Sequence, residues 1–270
     1  MTKSVTSALI GIAIEQGHIK SIDERLLNFF PEYTFNFTEK RKYDITLRHF
    51  LTMTVPYPFK DWHEPLYKLP RQSNWVRYGI GMMGQGGRLG TFKYSTIGAH
   101  LLSAVITRTT GKCAREYANV NLFRPIGMAE IPDNELQTYD LEDTFGRRMK
   151  GWVHDQQGNS TGGWGLTLTL RDMARFGYLY LNKGNWDNKQ IISSTWIADT
   201  TAMNKNSYGY MWWLRSVGGY FAYAATGHGG NMICCIPEKD IVISIASQMI
   251  PRHRDRWRLI ETHILPAMIE

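Results

Sequence analysis

Every segment with a β-strand pattern lies in the last quarter of this 270-residue chain. Apolar runs separated by glycine-rich or charged turns predict four consecutive strands, which read "YGYMWWLRS", "GYFAYAATG", "NMICCIPE" and "DIVISIASQ". A closing helix from Arg254 to Ile269 would pack on one face of their sheet. Residues 1–206 then form a mainly helical region, and residues 207–270 form the sheet with its helix, as parts of one intertwined unit. This order predicts an α+β fold, an antiparallel sheet flanked by helices with a large helical region.

The sequence begins inside a helical pattern. Leu9, Ile10 and Ile12 recur at helical spacing, the pattern is already strong at Val5, and Gly17 marks its end. Nothing before it caps this helix, and no small-residue cleavage site follows, which excludes a signal peptide. We therefore expect that an earlier part of the natural chain is missing from this sequence.

Other helices and one long loop can be placed in the helical region. The segment from Thr96 to Thr110 predicts a helix closed by Gly111, and "TLRDMARFGYLYLNKG" predicts an amphipathic helix capped by Thr169. The stretch from Val55 to Leu89 is rich in proline, glycine and tryptophan and predicts an irregular loop with a short helix around Trp75 to Tyr78. Such loops often line functional sites.

Composition excludes several classes of protein. A hydrophobic content of 43% can bury a large core, yet no apolar stretch approaches the roughly 20 residues of a membrane-spanning helix. The formal net charge of +7 is scattered, apart from four arginines between Arg252 and Arg258. No nucleic-acid-binding motif accompanies it, so we expect no nucleic-acid partner and no membrane span. Cys113, Cys234 and Cys235 are too few for a disulfide framework and read as buried thiols, which leaves the compartment open.

Three short stretches carry the candidate chemistry, since G-x-S-x-G, C-x-x-C and H-E-x-x-H motifs are all absent. "MTKS" puts Lys3 on the first turn of a buried helix, and "KYST" puts Tyr94 just before another helix. An amine with a buried stem loses proton affinity, and a tyrosine beside it can share the proton, so the pair can act as a base for a hydroxyl group. "TGHGGN" puts His228 beside two glycines at a strand entrance, where a backbone N–H can hold an oxyanion.

Each of these residues also has a simpler interpretation. Lys3 alone reads as a solvated terminal lysine, and Tyr94 alone reads as a packed aromatic residue at a helix entrance. His228 would then satisfy a turn carbonyl, and Gly229 and Gly230 would only form a hairpin. Five tryptophans would mostly be core or rim residues, with one or two in a pocket wall: Trp62, Trp75, Trp164, Trp212 and Trp213.

The stretches and their order resemble the serine β-lactamase superfamily, in the branch of class C enzymes and esterases that includes hydrolases of linear 6-aminohexanoate oligomers. The first motif of that family is S-x-x-K at a helix start, and Lys3 matches its lysine. The nucleophilic serine would fall one position before Met1, and no serine of the chain is followed by lysine three residues later. The resemblance covers Met1 to about Ser247 and implies a β-lactamase or transpeptidase-like fold.

Two further motifs persist before the sheet. Tyr94 and Ser95 match the first two residues of the Y-x-N or Y-S-x motif, while Thr96 stands where asparagine is common. "GGWGLTLTLRDMARFGYLYLNKGNWDNKQIISSTWI" resembles the long second signature of the family and implies that Gly163 and Trp164 lie near the site. The resemblance thus implies that Lys3 and Tyr94 are catalytic residues and that Ser95 and Trp164 bind the substrate.

The strand motif of the family lies at the sheet. His228, Gly229 and Gly230 match K-T-G or H-x-G, and the Asn231 N–H is implied as the second oxyanion donor. The resemblance implies a serine hydrolase that cleaves a small-molecule ester, amide or lactam through an acyl-enzyme, with no cofactor and no metal. The alternative is a non-catalytic descendant that keeps the cleft as a binding or regulatory module. We expect this chain alone to be weakly active or inactive, while its substrate, oligomeric state and compartment stay open.

Overall fold

The computed structural model describes residues 1–35, 37–134, 136, 138–146, 149–247 and 255–268. The chain divides into two compact units. The helical unit comprises Thr2–Arg124 and Glu130–Thr167, and the sheet unit comprises Met1, Pro125–Ala129 and Leu168–Glu270. The division predicted at residue 207 separates types of secondary structure and stays a prediction. Among the described residues, none of the helices has the length and apolar character that crossing a membrane requires.

The helical unit is built around two long helices that pack on each other. Its α-helices are α1 (Thr2–Glu15), α2 (Leu47–Leu51), α3 (Trp75–Met82), α4 (Thr96–Thr110), α5 (Ala114–Ala118) and α6 (Leu141–Phe145). Short 3-10 helices span Leu26–Phe29, Phe37–Asp44 and Leu66–Arg71, and a π-helix spans Asn119–Phe123. A further 3-10 helix, Arg124–Ile126, begins at the last residue of the Thr2–Arg124 segment and continues into Pro125–Ala129 of the sheet unit.

The two long helices follow their sequence signals. Ser95 caps α4 by accepting a hydrogen bond from the Gly98 N–H, and Gly111 ends it with φ +70°, a left-handed conformation that suits glycine. The predicted bounds of α4 are therefore confirmed. Helix α1 is buried around its circumference, from Thr2 to Ala13, as expected for a helix in the middle of a core.

Among its described residues, the sheet unit contains a four-stranded antiparallel sheet, whose strands pair in the order of the chain, and a two-stranded hairpin. The strands are β1 (Asn185–Trp186), β2 (Lys189–Gln190), β3 (Trp213–Val217), β4 (Tyr220–Gly227), β5 (Asn231–Ile236) and β6 (Ile241–Ile245), and the helices are α7 (Leu170–Leu181), α8 (Ser194–Thr201) and α9 (Arg256–Leu259). The register runs from Trp213↔Ala224 to Val217↔Tyr220, from Tyr223↔Cys235 to Gly227↔Asn231, and from Met232↔Ile245 to Ile236↔Ile241. This meander confirms the predicted α+β fold.

Helices cover both faces of this sheet. On one face α7 approaches so closely that a Cβ at Gly177 would lie 2.5 Å from Val242. On the other face Ala224 and Cys234 pack in a buried cluster with Ile260 of the C-terminal helices. Alternation along each strand thus buries apolar side chains on both faces.

Three details differ from the sequence expectations. The strand predicted to begin near Tyr208 starts at Trp213, and a tight Asp187–Asn188 turn joins the unpredicted pair β1 and β2. The closing helix is divided into α9, a π-helix at Ile260–Ile264 and a 3-10 helix at Pro266–Met268, while its predicted ends, Arg254 and Ile269, lie outside the described residues.

The cysteines are free thiols. Cys234 and Cys235 are buried in β5, as predicted, whereas Cys113 is half-buried at the start of α5. Burial raises the pKa of the Cys234 thiol to about 12, so this group is an unreactive core residue near neutral pH.

Candidate active site

Lys3 lies on the first turn of α1 with only 8% of its surface exposed. Its Nζ donates hydrogen bonds to the Thr96 Oγ1 at 3.2 Å and to the Gly163 carbonyl oxygen at 3.0 Å. It also lies over the Tyr94 ring, 4.7 Å from the ring centroid. The reading of Lys3 as a solvated terminal lysine is therefore wrong, because residues from two distant segments, Tyr94–Thr96 and the loop at Gly163, surround its amine.

The segment Tyr94–Thr96 leads into α4, and each residue has a different task. The Tyr94 ring meets Lys3 on one side and stacks on the Trp62 indole, with centroids 5.2 Å apart. The Ser95 hydroxyl is buried and accepts from the Gly98 N–H while it donates to Glu64, so it serves as the helix cap. The Thr96 hydroxyl, at the usual asparagine position, accepts the Lys3 bond. The predicted substrate contact of Ser95 stays a prediction, and its hydroxyl already has two partners.

The loop at Gly162–Trp164 reaches Lys3 through its backbone. A Cβ at Gly162 would lie 2.0 Å from the Ala99 carbonyl oxygen, and one at Gly163 would lie 2.6 Å from that of Thr96. Glycines are therefore required where this loop crosses α4. That crossing brings the Gly163 carbonyl oxygen to the Lys3 amine.

Trp164 is held in a stack of aromatic rings. Its indole lies 4.8 Å from the Phe145 ring and 5.7 Å from the Trp75 ring, and its Nε1 donates to the Thr144 carbonyl oxygen. It is partly exposed and stands next to Gly163. The predicted contact of Trp164 with substrate stays a prediction. It is supported by the position of Trp164 next to Gly163, whose carbonyl oxygen accepts from the Lys3 amine.

A buried pair lies behind Trp164. His100 Nε2 is hydrogen-bonded to Asp155 Oδ2 at 3.1 Å, and the side chains of both are completely buried. Burial opposes ionisation of Asp155, yet the hydrogen bonds from His100 and Asn159 prevail and hold the pKa of this carboxyl below its usual value. The His100 ring also contacts the Trp164 ring, with centroids 6.1 Å apart. The pair therefore packs against the stack of aromatic rings that holds Trp164.

Glu64 is a residue of this neighbourhood that sequence reasoning missed. Its Oε2 accepts from the Thr96 N–H at 2.6 Å, and its Oε1 accepts from the Ile97 N–H at 2.9 Å and the Ser95 hydroxyl at 2.8 Å. It lies about thirty residues earlier, in the loop between Val55 and Leu89, and matches no motif. The only available signal was that this loop was expected to line a site.

The glycine turn of the sheet unit joins β4 to β5. His228 is exposed, while Gly229 and Gly230 have φ values of +82° and +92°, which explains why two glycines stand there. The Asn231 side chain donates to the His228 carbonyl oxygen and accepts from the Ser247 N–H. Arg256 donates from Nε to the Gly230 carbonyl oxygen at 3.0 Å.

The hairpin interpretation of this turn is confirmed, and it is compatible with an oxyanion role. Neighbouring side chains hold the turn in place, as a preorganised donor requires. Lys3, Tyr94, Ser95 and Trp164 belong to the helical unit, and the turn belongs to the sheet unit. Their convergence on one cleft, and the oxyanion role of the Asn231 N–H, stay predictions. Among the described residues, there is no group of three His, Cys, Asp or Glu residues that could hold a metal ion.

Comparison with known proteins gives one family and many structural neighbours. The family model described as Beta-lactamase matches residues 1–262. A search of curated proteins finds no match.

Three solved structures illustrate the structural similarity. One is a protein provisionally assigned as a 6-aminohexanoate-dimer hydrolase from Bacillus anthracis, with 21% identity, a TM-score of 0.67 and coverage of 99% of this chain and 68% of that one. A family VIII carboxylesterase has 17% identity, a TM-score of 0.65 and coverage of 99% and 81%. A class C beta lactamase from Rhodobacter sphaeroides has 16% identity, a TM-score of 0.63 and coverage of 99% and 83%. At these identities the structures show a shared fold.

Proposed function

Because this chain belongs to the beta-lactamase family, we propose that it is the greater part of a serine hydrolase that cleaves an ester or amide, which includes a lactam, through an acyl-enzyme. The single observation that carries the proposal is the Lys3 amine. It is buried on the first turn of α1, anchored by Thr96 and Gly163, and lies against the Tyr94 ring. An amine held this way beside a phenol is suited to move a proton.

The proposed reaction has two steps. A serine oxygen forms a bond to the substrate carbonyl carbon while its proton passes to the Lys3 and Tyr94 pair. The tetrahedral intermediate collapses, the bond to the alcohol or amine breaks, and that leaving group takes up the proton. Water then attacks the acyl-serine with the same pair as base, which releases the acid and restores the serine. The Asn231 N–H is our candidate for one of the donors that stabilise the oxyanion.

The sequence as given contains no serine in the S-x-x-K register of Lys3. We propose that the nucleophile belongs directly before Met1, so this chain by itself is weakly active or inactive. The same observation favours a second candidate function, a ligand-binding or regulatory module without turnover. The codons upstream of Met1 discriminate between them. An in-frame serine codon there supports the hydrolase, and a stop codon directly upstream supports the binding module.

A matched pair of extended chains tests the hydrolase directly. One carries a serine immediately before Met1, and the other carries an alanine. The extension leaves the hydrogen bond at Met1 possible. The Met1 amino group donates to the Thr226 carbonyl oxygen at 2.8 Å, and in an extended chain the Met1 peptide N–H can donate to the same oxygen.

Both chains and the unextended chain are incubated with a fluorophosphonate and, separately, with a penicillin, and intact mass is measured. We expect one adduct on the serine chain and none on the other two. Stoichiometric acylation of the unextended chain would show that our account of the nucleophile is wrong. No adduct on the serine chain contradicts the hydrolase proposal.

A further inference from the structure

We propose that Glu64 is a positioning residue, which holds Tyr94 and Thr96 at the Lys3 amine. The consequence of this positioning role for catalysis rests on the proposed function above. Its structural part, the position of the Lys3 side chain against the Tyr94 ring, can be measured without any reaction.

The Glu64 carboxylate completes the N-terminus of α4. A helix begins with backbone N–H groups that have no partner inside the helix. The Ser95 hydroxyl accepts from the Gly98 N–H. Glu64 accepts from the N–H groups of Thr96 and Ile97, the first two residues of the helix. The same carboxylate accepts from the Ser95 hydroxyl. A negative charge is also favourable at a helix N-terminus.

The residues next to Glu64 hold the same segment from outside the helix. Asp61 Oδ1 accepts from Lys93 Nζ at 2.7 Å, and the Trp62 indole stacks on Tyr94. Trp62 has φ +63°, a conformation that a bulky residue adopts only where its surroundings hold it. Residues 61–64 therefore form a clamp that contacts Lys93–Ile97 at three successive places, and Glu64 makes most of its hydrogen bonds.

The clamp is connected to Lys3 through two residues, since Trp62 stacks on Tyr94 and Glu64 bonds to Thr96. Glu64 binds the backbone N–H of Thr96, and the Thr96 hydroxyl accepts one of the two hydrogen bonds of the Lys3 amine. The other acceptor, the Gly163 carbonyl oxygen, lies on a different loop. Displacement of the first turn of α4 would therefore remove one anchor of the amine and move the Tyr94 ring away from it.

The chain offers a matched control for a purely structural helix cap. Glu116 is also a helix-capping glutamate in the helical unit, and its Oε2 accepts from the Cys113 N–H at 3.2 Å, at the start of α5. The substitution Glu116→Gln makes the same chemical change at a cap that does not touch Tyr94 or Lys3. Glu64→Gln keeps the shape of the side chain but places an NH2 group where a carboxylate oxygen accepted a backbone N–H group.

The structural part is tested on the unextended chain by NMR with carbon-13 in lysine. The Lys3 ε-methylene signal, assigned with Lys3→Arg, should be shifted by the ring current of Tyr94, because the attached amine lies over that ring. We expect Glu64→Gln to return this signal towards its position in an unstructured peptide and Glu116→Gln to leave it in place. An unchanged signal in folded Glu64→Gln would overturn the positioning role.

The catalytic part is tested on the serine-extended chain by separating binding from acylation in single-turnover kinetics. We expect Glu64→Gln to lower the acylation rate constant about 100-fold, since a misplacement of about 1 Å has effects of this size, with substrate binding unchanged. Glu116→Gln should change neither constant. A shifted Lys3 signal with a normal acylation rate constant would overturn the catalytic importance of Glu64. If the unsubstituted serine-extended chain is not acylated, the proposed function fails, and the NMR result alone decides the positioning role.

Discussion

The surroundings of Lys3 in the helical unit and the Gly227–Asn231 turn in the sheet unit are built in different ways. The Lys3 amine bonds to residues 93 and 160 positions away in the sequence, whereas the Asn231 side chain bonds to residues 3 and 16 positions away. Lys3 is buried, and His228 at the turn is exposed. The first region depends on the packing of distant segments, and the second is largely a local hairpin. Substitutions should therefore have larger and less local effects in the first region.

The largest effect is expected at Lys3. In the serine-extended chain, Lys3→Met should lower the acylation rate constant about 1,000-fold, because it removes the amine that accepts the proton of the serine. Stopped-flow acylation with a chromogenic ester measures this. Lys20→Met, at an exposed lysine, serves as the control, and His228→Ala should have a much smaller effect than Lys3→Met. A Lys3→Met chain that is acylated at the normal rate would remove this lysine from the mechanism.

The next effect concerns stability and the loop that crosses α4. Gly162→Ala should lower the free energy of unfolding by about 3 kcal/mol, because the new Cβ would lie 2.0 Å from a backbone oxygen that cannot easily move. Gly158→Ala is the matched control in the same region, with φ +80° and open space around it, and should cost about 1 kcal/mol. Urea unfolding measures both. Equal losses would mean that the close approach of the loop does not limit stability.

The buried Asp155 should contribute a pH-dependent part of the stability. Asp155→Asn should lower the free energy of unfolding at pH 7 by about 2 kcal/mol, since it weakens hydrogen bonds made to a charged carboxylate. The pKa of Asp155 is lowered in the folded chain, so this contribution is fully present above the ordinary value of 3.8 and is lost as the pH falls through the folded-state pKa.

Urea unfolding of both chains between pH 3 and pH 7 should therefore give a difference that is constant well above pH 3.8 and narrows as the pH approaches and falls below that value. Asp187→Asn, which removes a carboxylate at the exposed turn between β1 and β2, is the matched control. A difference that grows on acidification would contradict the lowered pKa.

The smallest effect is expected in the turn of the sheet unit. Asn231→Ala should lower the free energy of unfolding by about 1 kcal/mol, because two side-chain hydrogen bonds are lost at a partly exposed place. Asn231→Asp keeps an oxygen that can accept from the Ser247 N–H and should lose less. The two variants are compared by urea unfolding. A loss as large as that of Gly162→Ala would show that the turn is not a local structure.

The elements read correctly from the sequence are those whose signals are local. Helix α4 is bounded by a serine cap and a left-handed glycine, α7 is capped by Thr169, and the hairpin at Gly229 and Gly230 follows from the glycines themselves. The start of β3 was misplaced because the aromatic run before it packs as a loop. The division of the C-terminal helix was missed because apolar periodicity does not distinguish α-helical from π-helical turns.

The site residues divide in the same way. Lys3, Tyr94 and Trp164 could be selected from motifs, but the partners of the Lys3 amine could not. Glu64 was missed because its importance comes from three hydrogen bonds to a helix that begins about thirty residues later. No periodicity, spacing or composition marks a single glutamate in a loop of proline, glycine and tryptophan.

By itself, the sequence determined the class of fold, the order of its elements and the residue types available for chemistry, because caps, glycine turns and apolar spacing act between neighbours in the chain. Only the tertiary structure decided that Lys3 is buried and that Thr96 and Gly163 hold its amine. It also decided that Glu64 holds the first turn of α4, next to Tyr94. Those contacts join segments tens to more than a hundred residues apart. They form only when the core excludes water and unpaired polar groups must find partners within the protein.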